Sequence, residues 1–267
     1  MAINALILAG QRQGTGDPLS SFKVAHKGLI EIAGTPMLLR VVQSLDACAE
    51  LNGIVIAANK DIHETLSRTI STRIENKTVV KFVEASGSPS QTIGNALQQL
   101  NSETPLLVTT SDHPLLTREM VHEFLSNIDM KKTDAAAACV ERHTYEEAYP
   151  NTVRTFIRLK GFEFSGANIF WFKGTAAQPL IEFWRKLEAK RKKPIEMANE
   201  IGISVGLRYL LGRLTKPALV KRLYQKTGAK VDLIALTDAE AAIDVDKPAD
   251  VPLAEAILKR RRSTSEA

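Results

Sequence analysis

A Rossmann-like α/β fold, with a mostly parallel central sheet flanked by helices, is predicted by three features of the 267-residue sequence. Short β-branched runs alternate with longer segments of helical period through the N-terminal half, as repeated βαβ units require. The runs are apolar at nearly every position, so the strands are expected to be covered on both faces. After about residue 130 the pattern changes to closely spaced strands and then to a basic helical stretch, which predicts a smaller β region with a helical insertion.

Ile3 to Ala9 reads as the first strand. Thr35 and Pro36 open the first long helix, Pro36 to Cys48, as N-cap and first-turn proline. Within it Met37, Leu38, Val41, Val42 and Leu45 recur on one face, which should lie on the sheet. Strands then follow at Ile54 to Ala58, Val79 to Val83 and Pro105 to Thr110, separated by helical patterns at Ile62 to Ile70 and Gln91 to Leu100. Beyond residue 130, Ala135 to Val140, Val153 to Leu159 and Phe164 to Phe172 read as strands, with a helix from Ala176 to Arg191. Residues 194–228 read as an inserted helical hairpin, before a strand at Val231 to Leu236 and a last helix from Ala249 to Lys259. The expectation is one domain over residues 1–259 and a flexible basic tail over 260–267.

Composition narrows the function classes. A hydrophobic content of 44% is enough for a sizeable core. The start carries neither a basic leader nor a cleavage-site pattern, and no long uncharged apolar stretch follows, so a cytoplasmic location is expected. Cys48 and Cys139 each sit in an apolar-periodic segment and read as buried thiols rather than as a disulfide or metal knot. Lys and Arg number 35 against 30 Asp and Glu, which leaves room for an anionic partner. Nucleic acid is not favoured, because aromatic residues are only 6% of the chain and do not interleave with the basic runs. The stretch from Leu207 to Leu223, with Arg208, Arg213, Lys216, Lys221 and Arg222, is amphipathic and basic. A domain cap or dimer face is preferred for it over peripheral contact with an anionic membrane.

In an open parallel sheet, ligands sit beyond the carboxyl ends of the strands, so the loop after the first strand comes first. Ala9, Gly10, Gly14 and Gly16 there let backbone N–H groups approach phosphates, Arg12 adds a guanidinium, and His26 and Lys27 follow. Neither the dinucleotide glycine motif nor a P-loop fits. Asp112 follows the strand Pro105 to Thr110, where a ligand role outweighs capping of a helix beginning near Thr117. His26 and His113 are read as bystanders or acceptor contacts, and the aromatic residues from Phe162 to Phe172 as core.

Leu8-Ala9-Gly10, Arg12, Lys27 and Gly34-Thr35-Pro36-Met37 resemble the opening of the MobA-like nucleotidyltransferases. Further motifs in the same order are similar to the family's: Gly87 to Ala96, Thr110 to Leu115 with Asp112-His113-Pro114-Leu115, Gly166-Ala167-Asn168, and Asp244 to Asp250. The resemblance implies a GT-A-type fold, with a nucleotide-binding half over about 1–130 and an acceptor-side half over about 131–259. It further implies a magnesium-dependent transferase that moves a nucleoside monophosphate from a nucleoside triphosphate to a phosphorylated small-molecule acceptor. On this pattern Gly87, Ser90 and Gln91 contact the nucleotide, Asn168 the acceptor, and Asp112 and Asp246 hold Mg²⁺, Asp246 being preferred to Asp244 by family position. Arg12 and Lys27 would bind the β- and γ-phosphates, with N–H groups near Gly10 and Gly14 beneath them. An acceptor phosphate is already ionised at neutral pH, so no catalytic base is needed.

Gln11 stands where the family has a second glycine, and an Arg-Met-Gly block is absent. The base, the acceptor and the oligomeric state therefore stay open at this level. A glycosyltransferase using a nucleotide sugar would be expected to show an Asp-x-Asp pair at the central strand's end, which Ser111-Asp112-His113 lacks. A non-catalytic nucleotide-binding relative is the other alternative.

Overall fold

The computed structural model describes residues 3–11, 18–71, 74, 79–100, 104–190 and 193–265. Arg12 and Gly14 fall outside these described residues. In chain order the elements are β1 (Ile3–Ala9), β2 (Glu31–Ile32), β3 (Thr35–Pro36), α1 (Met37–Asp46), β4 (Leu51–Ala58), α2 (His63–Ser71), β5 (Val79–Glu84), α3 (Pro89–Gln99) and β6 (Leu106–Thr110). There follow α4 (Arg118–Ser126), β7 (Ala135–Glu141), α5 (Arg142–Ala148), β8 (Ile157–Leu159), β9 (Phe162–Phe172), α6 (Gln178–Ala189), α7 (Pro194–Ile201), α8 (Ile203–Leu210), α9 (Lys216–Thr227), β10 (Val231–Ala235) and α10 (Val251–Ser265). The fold is mixed α/β, with a central, mostly parallel eight-stranded sheet flanked by helices. The chain divides into two compact units: residues 1–85, 108–122 and 243–267 form the first, and residues 86–107 and 123–242 the second.

In the first unit β6, β1, β4 and β5 lie side by side in that order, and the β1–β4 and β4–β5 pairs are parallel. Leu6, Ile7, Ala9, Ile54, Ile56 and Ala58 are buried, as continuous apolar runs imply for strands covered on both faces. Helix α1 packs on β4 with Leu38, Val41, Val42 and Leu45 inside, each contributing on the order of 2 kcal/mol of burial. Its start differs from the expected cap. Thr35 and Pro36 pair antiparallel with Glu31 and Ile32, and no side chain caps the helix. The hairpin is instead tied by Arg40, whose guanidinium donates to the carbonyls of Ile32 and Ala33, while Glu255 of α10 accepts from the Ala33 N–H.

The expected loose tail is corrected in the same unit. Helix α10 runs on to Ser265, because Arg261 donates to the Leu115 carbonyl at 3.0 Å and Arg262 to that of Ala33 at 3.4 Å. Two cations that read as solvent-facing charge thus bond backbone carbonyls of the loop after β6 and of the β2–β3 hairpin.

In the second unit β10, β7 and β9 are neighbours, β10–β7 parallel and β7–β9 antiparallel, with β8 antiparallel to β9. The strand expected from Val153 is shorter, covering only Ile157–Leu159. Trp171, Phe164 and Phe172 are buried, in keeping with a core role. The Gly166-Ala167-Asn168 segment is not a turn but lies inside the single strand β9. There the register with β7 shifts between Ala137 and Cys139, and Asn168 takes a φ of 50°. Such a bulge re-aims the strand, and Asn tolerates the left-handed region better than most residues. Helix α3 meets α6 at Gly94, whose missing side chain would lie 3.6 Å from Ile181.

The expected helical hairpin is three helices. Gly202, at φ 122°, ends α7, and the Arg222 guanidinium fills the space a side chain there would need as it donates to the Ile201 carbonyl. Helix α7 packs on α8 and on α9, and α9 packs on α6. Burial pushes the thiols of Cys48 and Cys139 up to about 12, so both remain protonated and inert near neutrality.

Candidate active site

Three stretches of the first unit converge beyond the ends of β1 and β6. Ser111 donates its N–H to the Leu8 carbonyl at 3.0 Å, and Val245 donates to the Asp112 carbonyl at 2.9 Å, so residues 8–10, 111–112 and 244–246 are laced by backbone bonds. Lys27, at the start of a short 3₁₀ turn, reaches Asp112, Nζ to Oδ2 at 2.5 Å. Asp112 is buried, and its Oδ1 has no hydrogen-bond partner among the described residues. Burial disfavours its charge, yet the Lys27 ammonium and its hydrogen bond outweigh that and hold the carboxyl below the usual carboxylate range.

Asp246 has the opposite environment. Its side chain retains a solvent-exposed edge, but neighbouring protein mass desolvates it, and the charges of Asp244 and Asp112 repel its own. Its carboxyl is therefore raised, with only partial relief from Lys27. Asp250 holds the segment by accepting from the N–H groups of Asp246 and Lys247, both at 3.0 Å. These two bonds place Asp250 at the start of the last helix.

Two supports of Lys27 were not legible as such. His26 is buried; its Nδ1 accepts from the Gly28 N–H at 2.9 Å, which leaves the ring proton on Nε2 to be donated to the Ala9 carbonyl at 2.6 Å. The imidazole therefore bolts the Lys27 turn to the end of β1, and it is neither a bystander nor an acceptor contact. Gln11 accepts from the Lys27 N–H through Oε1 at 3.2 Å, while its own N–H donates to Asn59 Oδ1 at 3.0 Å. A glycine at position 11 would lack that first bond. His113, next to Asp112, is fully buried.

Small residues are set by space here. A side chain on Gly10 would lie 3.0 Å from Ala85 Cβ, and one on Gly28 would lie 3.0 Å from His26 Nδ1 and 3.1 Å from Leu38 Cβ. Leu38 is fixed in α1, so Gly28→Ala is expected to destabilise the protein by about 1–3 kcal/mol through overpacking. A denaturant midpoint equal to wild type would show that the turn yields more easily than this geometry allows.

The remaining sequence candidates lie in the second unit. Gly87 is exposed ahead of α3, Ser88 caps that helix by accepting from the Gln91 N–H, and the Gln91 side chain is exposed. Ser90 differs from expectation: it is fully buried and donates to Glu188 Oε2 at 2.5 Å, because its position in the first turn of α3 faces α6. Its hydroxyl joins two helices. Among the described residues no group of three or more His, Cys, Asp or Glu is placed to hold a metal ion.

Comparisons with known proteins identify the family and the fold. The model of the MobA-like NTP transferase domain matches residues 5–190. A hypothetical transferase from Thermus thermophilus is similar at 25% identity and TM-score 0.75, over 94% of this chain and 100% of that one. The 4-diphosphocytidyl-2C-methyl-D-erythritol synthase of Anaerococcus prevotii shares the fold at 14% identity and TM-score 0.57, over 96% of each chain. A CMP:2-keto-3-deoxy-manno-octonic acid synthetase, solved with CTP, shares it at 13% identity and TM-score 0.62, over 98% of this chain and 100% of that one. With its matched region, its sheet order and its converging strand ends, the chain belongs to the MobA-like NTP transferase domain family of nucleotidyltransferases.

Proposed function

We propose that the protein transfers a nucleoside monophosphate from a nucleoside triphosphate to a phosphate-bearing small-molecule acceptor, with Mg²⁺ as cofactor and release of pyrophosphate. The observation that carries this reading is the Lys27, Asp112 and Asp246 constellation at the strand ends. An acceptor phosphate oxygen attacks the α-phosphorus, the bond from that phosphorus to the β-phosphate bridge breaks, and pyrophosphate leaves with the electron pair. No proton has to be removed from the nucleophile, which suits a site where His26 is already committed to Gly28 and Ala9.

The residues present fit a hard divalent cation. Asp112 offers a buried oxygen with no hydrogen-bond partner among the described residues, and Asp246 is a carboxylate strained by its neighbours' negative charge, which a cation would relieve. Two carboxylates suffice for Mg²⁺, which ordinarily completes its shell with water and substrate phosphates. When bound, the ion would offset phosphate charge and favour in-line geometry. Lys27, half-buried and pinned by His26 and Gln11, would meet the β- and γ-phosphates with Arg12 and the N–H groups near Gly10 and Gly14. Gly87 and Gln91 would meet the nucleotide, and Asn168 the acceptor. A cytoplasmic setting accords with two free cysteines.

Thermal stabilisation by CTP, GTP, UTP and ATP, each with and without Mg²⁺, tests the reading without knowledge of the acceptor. CTP heads the series because it is the nucleotide named with the octonic acid synthetase. A selective, Mg²⁺-dependent rise in melting temperature is expected. No response to any triphosphate would remove the proposal and point to a nucleotide-sugar enzyme or a non-catalytic relative.

A further inference from the structure

Helix α8 presents an apolar face outward. Ile203, Leu207, Leu210 and Leu211 recur at helical spacing and are 69%, 55%, 82% and 58% exposed, and with Tyr209 and Tyr224 they make up six of the nine large hydrophobics exposed among the described residues. The helix does not lack a core face. Val205 packs against the cluster of Cys139, Leu159, Phe164 and Leu214, and Gly206 lies close against Ala198 of α7. The outward leucines are therefore surplus to folding, so of the two preferred readings, domain cap or dimer face, their exposure leaves them unused as a cap within this chain. A concentrated exposed apolar face marks an interaction surface.

Charge selects the partner. Residues 201–231 contain seven cations (Arg208, Arg213, Lys216, Lys221, Arg222, Lys226 and Lys230) and no Asp or Glu. Lys216 and Arg222 are used internally, on Asp232 and on the Ile201 carbonyl, whereas Arg208, Arg213, Lys221 and Lys226 are exposed. The nearest carboxylates flank this stretch and are already paired, Asp232 with Lys216, Glu200 with Lys190 and Glu196 with Lys193, so a symmetric contact with a second copy would set a net cationic face against itself. A bilayer needs only projecting apolar side chains beside cations, and it supplies the negative charge. No helix among the described residues is long and apolar enough to cross a membrane.

We propose that α8, with the cations of α9, binds the surface of an anionic lipid bilayer, so that the protein is a peripheral membrane protein. Flotation of the full chain with vesicles of phosphatidylcholine and phosphatidylglycerol, beside vesicles of phosphatidylcholine alone, tests this. The chain is expected to float with the anionic vesicles, and the Leu207→Asp/Leu210→Asp variant to lose about tenfold or more of the bound fraction. Arg208→Glu/Lys221→Glu and added salt should each weaken binding. Circular dichroism and nucleotide stabilisation of the variants should match wild type, since these side chains are exposed and remote in sequence from Lys27 and Asp112. A wild-type chain left in the soluble fraction with anionic vesicles overturns the proposal, as does binding that the leucine variant retains. Self-association seen by light scattering, abolished by the leucine variant and unaccompanied by vesicle binding, also overturns it and assigns the face to a second copy.

Discussion

Asp112→Asn is expected to lower turnover by at least about a hundred- to a thousandfold, on the order of 3–4 kcal/mol of transition-state stabilisation. Asparagine keeps the shape and one oxygen but offers a cation no net charge, and it leaves Lys27 without its carboxylate. The Mg²⁺-dependent stabilisation by triphosphate should vanish with the activity. Lys27 is only part-buried and can turn its ammonium to water, so the fold should survive at a cost of about 1–2 kcal/mol. Turnover assays and urea unfolding on the same preparation separate the two effects. A variant as active as wild type, with its Mg²⁺ requirement intact, would falsify the assignment of Asp112.

Lys27→Met is expected to weaken triphosphate binding by about ten- to a hundredfold, as befits one charge-assisted contact. It should also destabilise the protein by about 3 kcal/mol near neutral pH, because Asp112 would be left charged, buried and without its cation. The pH dependence has a definite sign. In wild type the Asp112 carboxyl sits below its unfolded value, so its contribution is present above the unfolded pKa and is lost as pH falls through the folded one. Without Lys27, burial dominates and raises the carboxyl, so the unfavourable charge is relieved on acidification. The stability gap between variant and wild type should therefore be widest near neutrality and close below the carboxylate range. Denaturant titrations at several pH values measure it, and a gap independent of pH would mean that Lys27 acts by packing rather than by charge.

Much of this site could be read from residue order alone. Strand-end position picked out Asp112, since a parallel sheet presents its ligands there whatever the side-chain detail. Lys27 and Asp246 came from motif order, and the structure brings both to Asp112. Their supports were hidden, because His26 and Gln11 act through single bonds to backbone atoms 17 and 16 residues away, which no local pattern records. The bond of Ser90 was hidden for the same reason, as its partner Glu188 lies 98 residues on.

What the sequence by itself determined was the class of fold and the order of its elements. Hydrophobic period is a local property, and β1, β4, β6 and the buried face of α1 are set by it. Only the tertiary structure decided the ends of elements and the fate of individual polar and exposed side chains. Pro36 became a strand residue because Glu31 paired with it, and the basic end of α10 stayed helical because Arg261 and Arg262 found the carbonyls of Leu115 and Ala33. The leucines of α8 have the same helical period as a core-facing stripe, yet lie outward because Val205 and Gly206 already occupy the inner side. Periodicity shows that a helix has an apolar face, and packing alone decides what that face meets.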